Sequence, residues 1–372
     1  MIYFDNAATS RPKPKEVLDA FNYYVTEVGT SPGRGSYELA IQASRMLYQS
    51  RKTMSSYFGA KEPSNVVFTK NSTEAINLFV NGFLKKGDHV LISPYEHNAV
   101  LRPIQTLKDK GIIDYTVLPS GAIDHPQVIG SSIRSNTSLL ISTLASNLTG
   151  QIVFNKDMAA IAHNNNIKMF VDASQGAGKK LINMTRDSVD FLAFTGHKDL
   201  LGLPGAGGLI SEDEMKIAPL IQGGTGIYGD SYINPEAYPD SYEAGTINMP
   251  AIWALKNAID YIENNFDSLS NQENIILNRV LDGLDGIDRV IVYNRTAKRV
   301  PTFCFNISGM PSSTVVEKLS TKGICVRGGI HCAIKAHETI GTVETGAVRV
   351  SVNGFNTIEE ADAFIQAIEE LV

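Results

Sequence analysis

The chain has little of what marks several protein classes. Its 372 residues include only three cysteines and a single tryptophan. The opening MIYFDNAATS has no basic segment followed by an apolar run, so no secretory leader is expected. Few cysteines without a leader point to reduced thiols and a cytoplasmic setting, which leaves the sequons at Asn71, Asn136 and Asn147 without meaning. No apolar run reaches the roughly 18 residues of a membrane span. A net charge of −6 without any basic cluster makes nucleic acid an unexpected partner. Internal repeats and low-complexity segments are absent. Cys325, His331, Cys332 and His337 lack the paired C-x(2–4)-C and H-x(3–5)-H spacing of a zinc site, so no metal is expected.

What remains is ordinary globular composition, 43% hydrophobic and 19% charged, in a chain long enough for two domains. Apolar spacing predicts helices over 14–28 and 37–57. From Val66 the pattern alternates. VVFT, HVLIS, DYTVL, SLLISTLAS, IKMFVD and FLAFT read as strands, with helices near 73–84, 97–110, 124–134 and 156–166. Such alternation argues an α/β fold with a mostly parallel sheet, whose ligands bind beyond the carboxyl ends of the strands. A Gly- and Tyr-rich loop, 221–242, precedes a long helix from Met249. The remainder, with RVIVYN, TFCFNIS, ICVRGG, AVRVSV and helices over 313–322 and 357–371, reads as α+β.

Two strand ends carry chemistry. Phe191-Leu-Ala-Phe ends in Thr195-Gly-His197-Lys198, and Ile167-Lys-Met-Phe-Val ends in Asp172-Ala-Ser-Gln175. A lysine after a buried strand is either a solvated surface group or a desolvated amine that can condense with an aldehyde. An Asp at the neighbouring strand end either caps a helix or holds a ring nitrogen protonated. Together the two fit pyridoxal 5'-phosphate, with Lys198 as its attachment point and Asp172 at the pyridine nitrogen. Ser72 and Thr73, after VVFTK, either cap a helix or present its N-terminus to a phosphate.

VDASQGAG followed by FTGHKDLLGLPGAGGL, together with YFDNAATSRP and YEAGTIN, resembles the class V aminotransferase family of fold type I pyridoxal-phosphate enzymes. RGGIHCA is similar, more narrowly, to group II cysteine desulfurases and selenocysteine lyases. The resemblance runs nearly end to end. It implies a large cofactor domain over 15–248 with a mostly parallel, seven-stranded-type sheet. It also implies a smaller α+β domain over 249–372, with segment 1–14 packed against it. It assigns Ser72, Thr73, Thr195 and His197 to the cofactor phosphate. His97 would stack on the pyridine ring and serve in proton transfer, with a pKa near neutral. Gln175 and Asn147 would face the phenolic oxygen, Asn147 the substrate carboxylate as well. Thr246 would reach the phosphate of a second subunit, which implies a homodimer with shared sites. Arg34, in a loop either merely charged or in contact with an anion, would border the active site.

Cys304 and Cys325 lie in apolar runs and read as buried. Cys332, after Gly-Gly and His331, has little reason to be buried, and a thiol beside His or Arg can ionise. Arg349 in GAVRVSVN is a cation inside an apolar strand and therefore needs an anion. The resemblance gives it the α-carboxylate of an amino acid, with Arg327 near the same loop. Two departures stand out: Ile330-His331 where group II members often have His-His, and Ser-Tyr after Arg34 where some members carry His. The expected function is a cysteine desulfurase that takes sulfur from L-cysteine onto Cys332 as a persulfide, leaves L-alanine and passes the sulfur to an acceptor. Selenocysteine lyase, aminotransferase of small amino acids and a non-catalytic binding protein are the alternatives.

Overall fold

The computed structural model describes residues 1–33 and 35–372, so the expectation for Arg34 lies outside the described residues. Among the described residues no helix is long and apolar enough to cross a membrane. The strands are β1 (Ile2–Tyr3), β2 (Val66–Thr69), β3 (His89–Ile92), β4 (Asp114–Val117), β5 (Thr137–Thr143), β6 (Lys168–Asp172), β7 (Phe191–Thr195), β8 (Gly207–Ser211), β9 (Val290–Val292), β10 (Thr302–Ile307), β11 (Ile324–Cys325), β12 (Arg327–Gly329) and β13 (Ala347–Ser351). Seven of them form one sheet in the order β2-β8-β7-β6-β5-β3-β4. The run from β7 to β4 is parallel, and β8 is antiparallel to both of its neighbours. This is the expected α/β class. Strands β3, β5, β6 and β7 are almost wholly buried, as apolar runs covered on both faces should be.

The helices are α1 (Lys15–Tyr23), α2 (Glu38–Phe58), α3 (Ser72–Phe83), α4 (Asn98–Asp109), α5 (Lys156–Asn164), α6 (Met184–Asp187), α7 (Met249–Asp285), α8 (Ser312–Thr321), α9 (Ile334–Ile340) and α10 (Ile358–Glu369). Two expectations fail. The helix expected over 124–134 is a 3-10 turn, Pro126–Ser132, because Gly130 and two serines are weak helix formers. Strand β8 reads in sequence as the tail of a glycine-rich loop. Its glycines allow it between β2 and β7: a Cβ on Gly207 would lie 2.7 Å from the Asn71 Cα.

A second sheet, β12-β13-β10-β9, is antiparallel throughout, and β1 pairs in parallel with β11 beside it. The 37-residue helix α7 joins the two cores. Its first half buries Ile252, Leu255, Ile259 and Ile262 against the large-sheet core. Its second half buries Ile276, Val280, Leu281 and Leu284 in a core built on Phe4, Phe303, Phe305 and Phe364. Cys304 is buried as expected, whereas Cys325 is half-buried, since it lies on a two-residue strand at the rim.

A buried ion pair ties α7 to the turn after β6: Lys179 Nζ donates to Glu273, and the same carboxylate oxygen accepts the Gly354 N–H at 3.0 Å. Gly178 beside it has φ +96°, and a Cβ there would come within 2.3 Å of the Asp199 carbonyl oxygen. Lys179→Met leaves Glu273 uncompensated in the interior. Its unfolding free energy, read from the urea midpoint, should fall by about 3 kcal/mol relative to wild type.

Candidate active site

Strands β6 and β7 are neighbours in register, Asp172 opposite Ala193, so both chains leave the sheet side by side. Asp172 ends the first, and Lys198 follows the turn that ends the second. A cavity of about 200 Å³ opens there, lined by Asn71, Ser72, Thr73, His97, Thr143, Asn147, Asp172, Ser174, Gln175, Thr195, His197 and Lys198. Nine of the expected residues thus meet in one place. Burial lowers the Lys198 amine, as do the Arg349 and Arg327 guanidiniums, while Asp172 and Asp199 oppose them. Burial raises the Asp172 carboxyl, against hydrogen bonds from Ser174 and the charge of Lys198. Ser174 supplies both its N–H, at 2.9 Å, and its hydroxyl to the same oxygen, Asp172 Oδ1. The other oxygen takes no hydrogen bond among the described residues.

The N-terminal segment braces Lys198 from behind. The His197 carbonyl accepts hydrogen bonds from the Ser10 N–H at 3.0 Å, Thr9 Oγ1 at 3.0 Å and Lys13 Nζ at 2.9 Å. Burial drops the Lys13 amine to about 8. Gln175 Nε2 donates to the Ala7 carbonyl at 2.8 Å. Helix α3 is capped by Asn71, whose side chain accepts the Glu74 N–H at 3.0 Å. Ser72 and Thr73 are therefore not caps, and their N–H groups head the first turn.

His97 departs from its expected character. Its Nδ1 accepts the Ala99 N–H at 3.0 Å as the cap of α4, which leaves the ring proton on Nε2. Burial, then Lys198, Arg327, Arg349 and Arg102, push its pKa down to about 3 rather than near neutral. His197 falls to about 4, by burial and by Lys198 and Lys13. Neutral rings suit stacking and hydrogen-bond donation better than carrying a proton.

Arg349 is buried, and it does find an anion: Nη2 donates to Asp5 Oδ1 at 2.6 Å and Nη1 to the Asn147 carbonyl at 3.0 Å, while Nε has no partner. Sequence reasoning did not foresee Asp5, because it lies 344 residues away. Asn147 is also turned differently. Its Nδ2 donates to the His331 carbonyl at 2.8 Å, and its buried Oδ1 is unpaired. Arg327 is exposed and faces Arg349 across β12 and β13. Cys332 is exposed, and its carbonyl accepts the Asn98 N–H at 2.8 Å. Both His331 and Cys332 hold φ +55°, a left-handed pair that non-glycine residues adopt only when their surroundings impose it. The His331 ring turns to the backbone of β12. It is buried, Nε2 lies 3.1 Å from the Arg327 carbonyl, and burial with Arg349 takes its pKa to about 3. Thr246 stands apart, exposed on a separate cavity of about 410 Å³ that Lys198 and Asp172 do not line.

The pocket suits pyridoxal phosphate. Thr195 Oγ1 and Asn147 Oδ1 are buried polar atoms without partners, Asp172 keeps one oxygen open, and the α3 N-terminus with Ser72 and Thr73 makes an anion seat. The Lys198 amine makes no hydrogen bond or ion pair among the described residues.

A family model described as Aminotransferase class-V matches residues 2–364. A probable cysteine desulfurase of Methanothermobacter thermautotrophicus is 32% identical over all of this chain and 94% of its own length. A probable cysteine desulfurase of Halobacterium salinarum is 30% identical over all of this chain and 91% of its own. The apo structure of a cysteine desulfurase from Thermococcus onnurineus superposes with a TM-score of 0.92 at 32% identity, covering 100% of this chain and 94% of the other.

Glu96 does not stand out from its neighbours in sequence. It is fully buried: Oε1 accepts from Ser93 Oγ and, at 2.7 Å, from the Thr143 N–H, while Oε2 is unpaired. Burial and the charge of Asp172 raise its pKa to about 8. A carboxyl whose pKa is raised on folding favours the fold most below its unfolded value, and that contribution is lost as pH rises through the folded value. Between pH 5 and 8, wild type should lose about 1.4 kcal/mol of stability per pH unit relative to Glu96→Gln. Parallel urea titrations of the two proteins measure that difference, and parallel curves would deny Glu96 the shift.

Proposed function

The chain belongs to the aminotransferase class-V family, and on that premise we propose that it is a pyridoxal-phosphate-dependent cysteine desulfurase. It moves the sulfur of L-cysteine onto Cys332 and leaves L-alanine. The observation that carries the reading is the docking of the cysteine turn onto the wall of the Lys198 pocket. Asn147, a lining residue, holds the His331 carbonyl, and Asn98, next to His97, holds that of Cys332. An aminotransferase has no use for a strained, exposed cysteine fixed there. The names of the relatives favour the same reading.

Lys198 would hold the cofactor through its amine, and Asp172 its ring nitrogen through the oxygen that Ser174 leaves free. Ser72, Thr73, Thr195 and His197 would hold the phosphate, His97 the ring face, and Gln175 with Asn147 the phenolic oxygen. When bound, the cofactor supplies an electron sink for charge that develops at the substrate's α-carbon. Burial lowers the Lys198 amine, which favours the neutral form that acts as a base for the α-proton. Arg349 and Arg327 orient the carboxylate, with Asp5 as the resting counter-ion that shares Arg349. The Cys332 thiolate attacks the substrate sulfur, so that an S–S bond forms as the Cβ–S bond breaks and its electron pair stays on carbon, to be protonated as the methyl of alanine.

The same reading makes residues 15–248 the cofactor domain and 249–372 the domain that carries the cysteine turn, with 1–14 packed against the latter. It also makes the protein a homodimer. Leu18, Tyr23, Val25 and Tyr48, with Leu220, Ile221, Tyr228 and Ile233, leave apolar surface exposed that a second copy would cover, and Leu220 and Ile221 line the same cavity as Thr246. Sedimentation at assay concentration should give twice the chain mass, and a fully active monomer would refute the shared site.

One experiment tests the chemistry. Wild type and Cys332→Ala, both loaded with cofactor and reduced with borohydride, should carry the pyridoxyl label on Lys198. Given L-cysteine without reduction, wild type should form alanine and sulfide in the presence of a thiol. The variant should lose at least about 100-fold in rate while still binding the substrate, as expected when a nucleophile is removed. Undiminished alanine formation by the variant would take Cys332 out of the mechanism.

A further inference from the structure

We infer that the groove between α3 and α4 receives a low-molecular-weight thiol bearing a carboxylate, which takes the sulfur from Cys332. The inference rests on the desulfurase reading. The groove is a cavity of about 360 Å³, the size of small-molecule sites rather than of a protein footprint. One wall is the α3 face with Thr73, Asn77 and Asn81, the other the α4 face with Asn98, Arg102 and Thr106, each set repeating every four residues as a single helix face does. Cys332 closes one end, pinned to the head of α4 by the bond from the Asn98 N–H to its carbonyl.

This is not the substrate's side of the cysteine. Lys198, Asp172, Arg349 and Arg327 do not line the groove, which shares only Thr73 and His97 with the cofactor cavity. His97 thus stands between two chambers, one with the carbon chemistry and one open to a second reactant at the same sulfur. The second chamber has a distinct charge. No carboxylate lines it, although the chain as a whole is acidic, and Arg102 is exposed without an ion-pair partner among the described residues. Asn77 Nδ2 donates to the Thr73 carbonyl at 2.9 Å and Asn81 Nδ2 to that of Asn77 at 2.9 Å, so both amides are anchored along the helix. A guanidinium in a polar groove selects a carboxylate.

The transfer balances without another reactant. The acceptor thiolate attacks the terminal sulfur of the Cys332 persulfide, a new S–S bond forms, and the old one breaks. The acceptor leaves as a persulfide, and Cys332 is released as a thiolate ready for the next substrate. Thiolate attack of this kind is ordinary thiol–disulfide exchange.

The test uses holoenzyme, L-cysteine held at its KM and two probes of similar size, 3-mercaptopropionate and the uncharged 2-mercaptoethanol, with the rate of alanine formation above that in L-cysteine alone as the readout. Wild type should half-saturate at a lower concentration of 3-mercaptopropionate. In Arg102→Gln that concentration should rise about fivefold, with 2-mercaptoethanol and the KM for L-cysteine unchanged. Arg102→Lys should restore part of the preference. Equal use of both thiols by wild type, or an equal effect of Arg102→Gln on both, overturns the inference and leaves the desulfurase reading standing. A raised KM for L-cysteine would make the groove the substrate's entrance and overturn it too. No alanine from wild type with either thiol would defeat the desulfurase reading itself.

Discussion

A lysine and an aspartate are buried side by side at the ends of two parallel strands, and the rest of the site is arranged around that constraint. Burial pushes both groups toward their neutral forms, while their mutual attraction pulls them back. Direct pairing would silence the amine. Instead Ser174 occupies one oxygen of Asp172, and the Lys198 amine has no partner among the described residues. An amine so placed stays reactive only if the backbone around it is rigid. The segment 9–13 supplies that rigidity by converging on the His197 carbonyl, and the bond from the Leu201 N–H to the Lys198 carbonyl closes the turn at 2.9 Å.

The same rigidity must reach the smaller sheet, because the turn that carries Cys332 follows its strand β12. Among the links between the two cores, three bear on the site. Helix α7 runs through both cores, the Lys179–Glu273 pair binds its middle to the turn after β6, and Asn147 joins the smaller sheet twice, through its amide to His331 and its carbonyl to Arg349. Asn147 therefore links the cysteine turn, through its side-chain amide, to Arg349, through its backbone carbonyl.

What was legible in the sequence was the chemistry that breaks a local rule. Lys198, Asp172 and Arg349 are charges in apolar strands, and Cys332 is a thiol among glycines, so each stands out from its own neighbours. What was hidden depends on partners remote in sequence or on a competition between neighbours. Asn71 took the cap that Ser72 or Thr73 was expected to make. Asp5 meets Arg349 only after the N-terminal segment has paired through β1 with β11. Nothing near Glu96 in sequence marks it, and only the fold shows it sealed next to Thr143. Strand β8 was missed because its glycines, which read as loop, are what admit it between β2 and β7.

The charge count around Arg349 completes the argument. Arg327 and Arg349 stand opposite each other in register, and Lys198 lies near enough for both to depress its amine. Asp172 and Asp199 stand against the charge of Lys198, so Arg349 has Asp5 as its ion-pair partner among the described residues, and Asp5 holds one terminal nitrogen while Nε stays unpaired in the interior. A buried donor without a partner is costly, and an acceptor that reaches it relieves the cost. Burial holds His97 and His331 neutral, and the guanidiniums nearby act in the same direction. On the desulfurase reading, the substrate carboxylate would be the acceptor that Arg349 Nε lacks, with Arg327 opposite it in register adding a second positive charge.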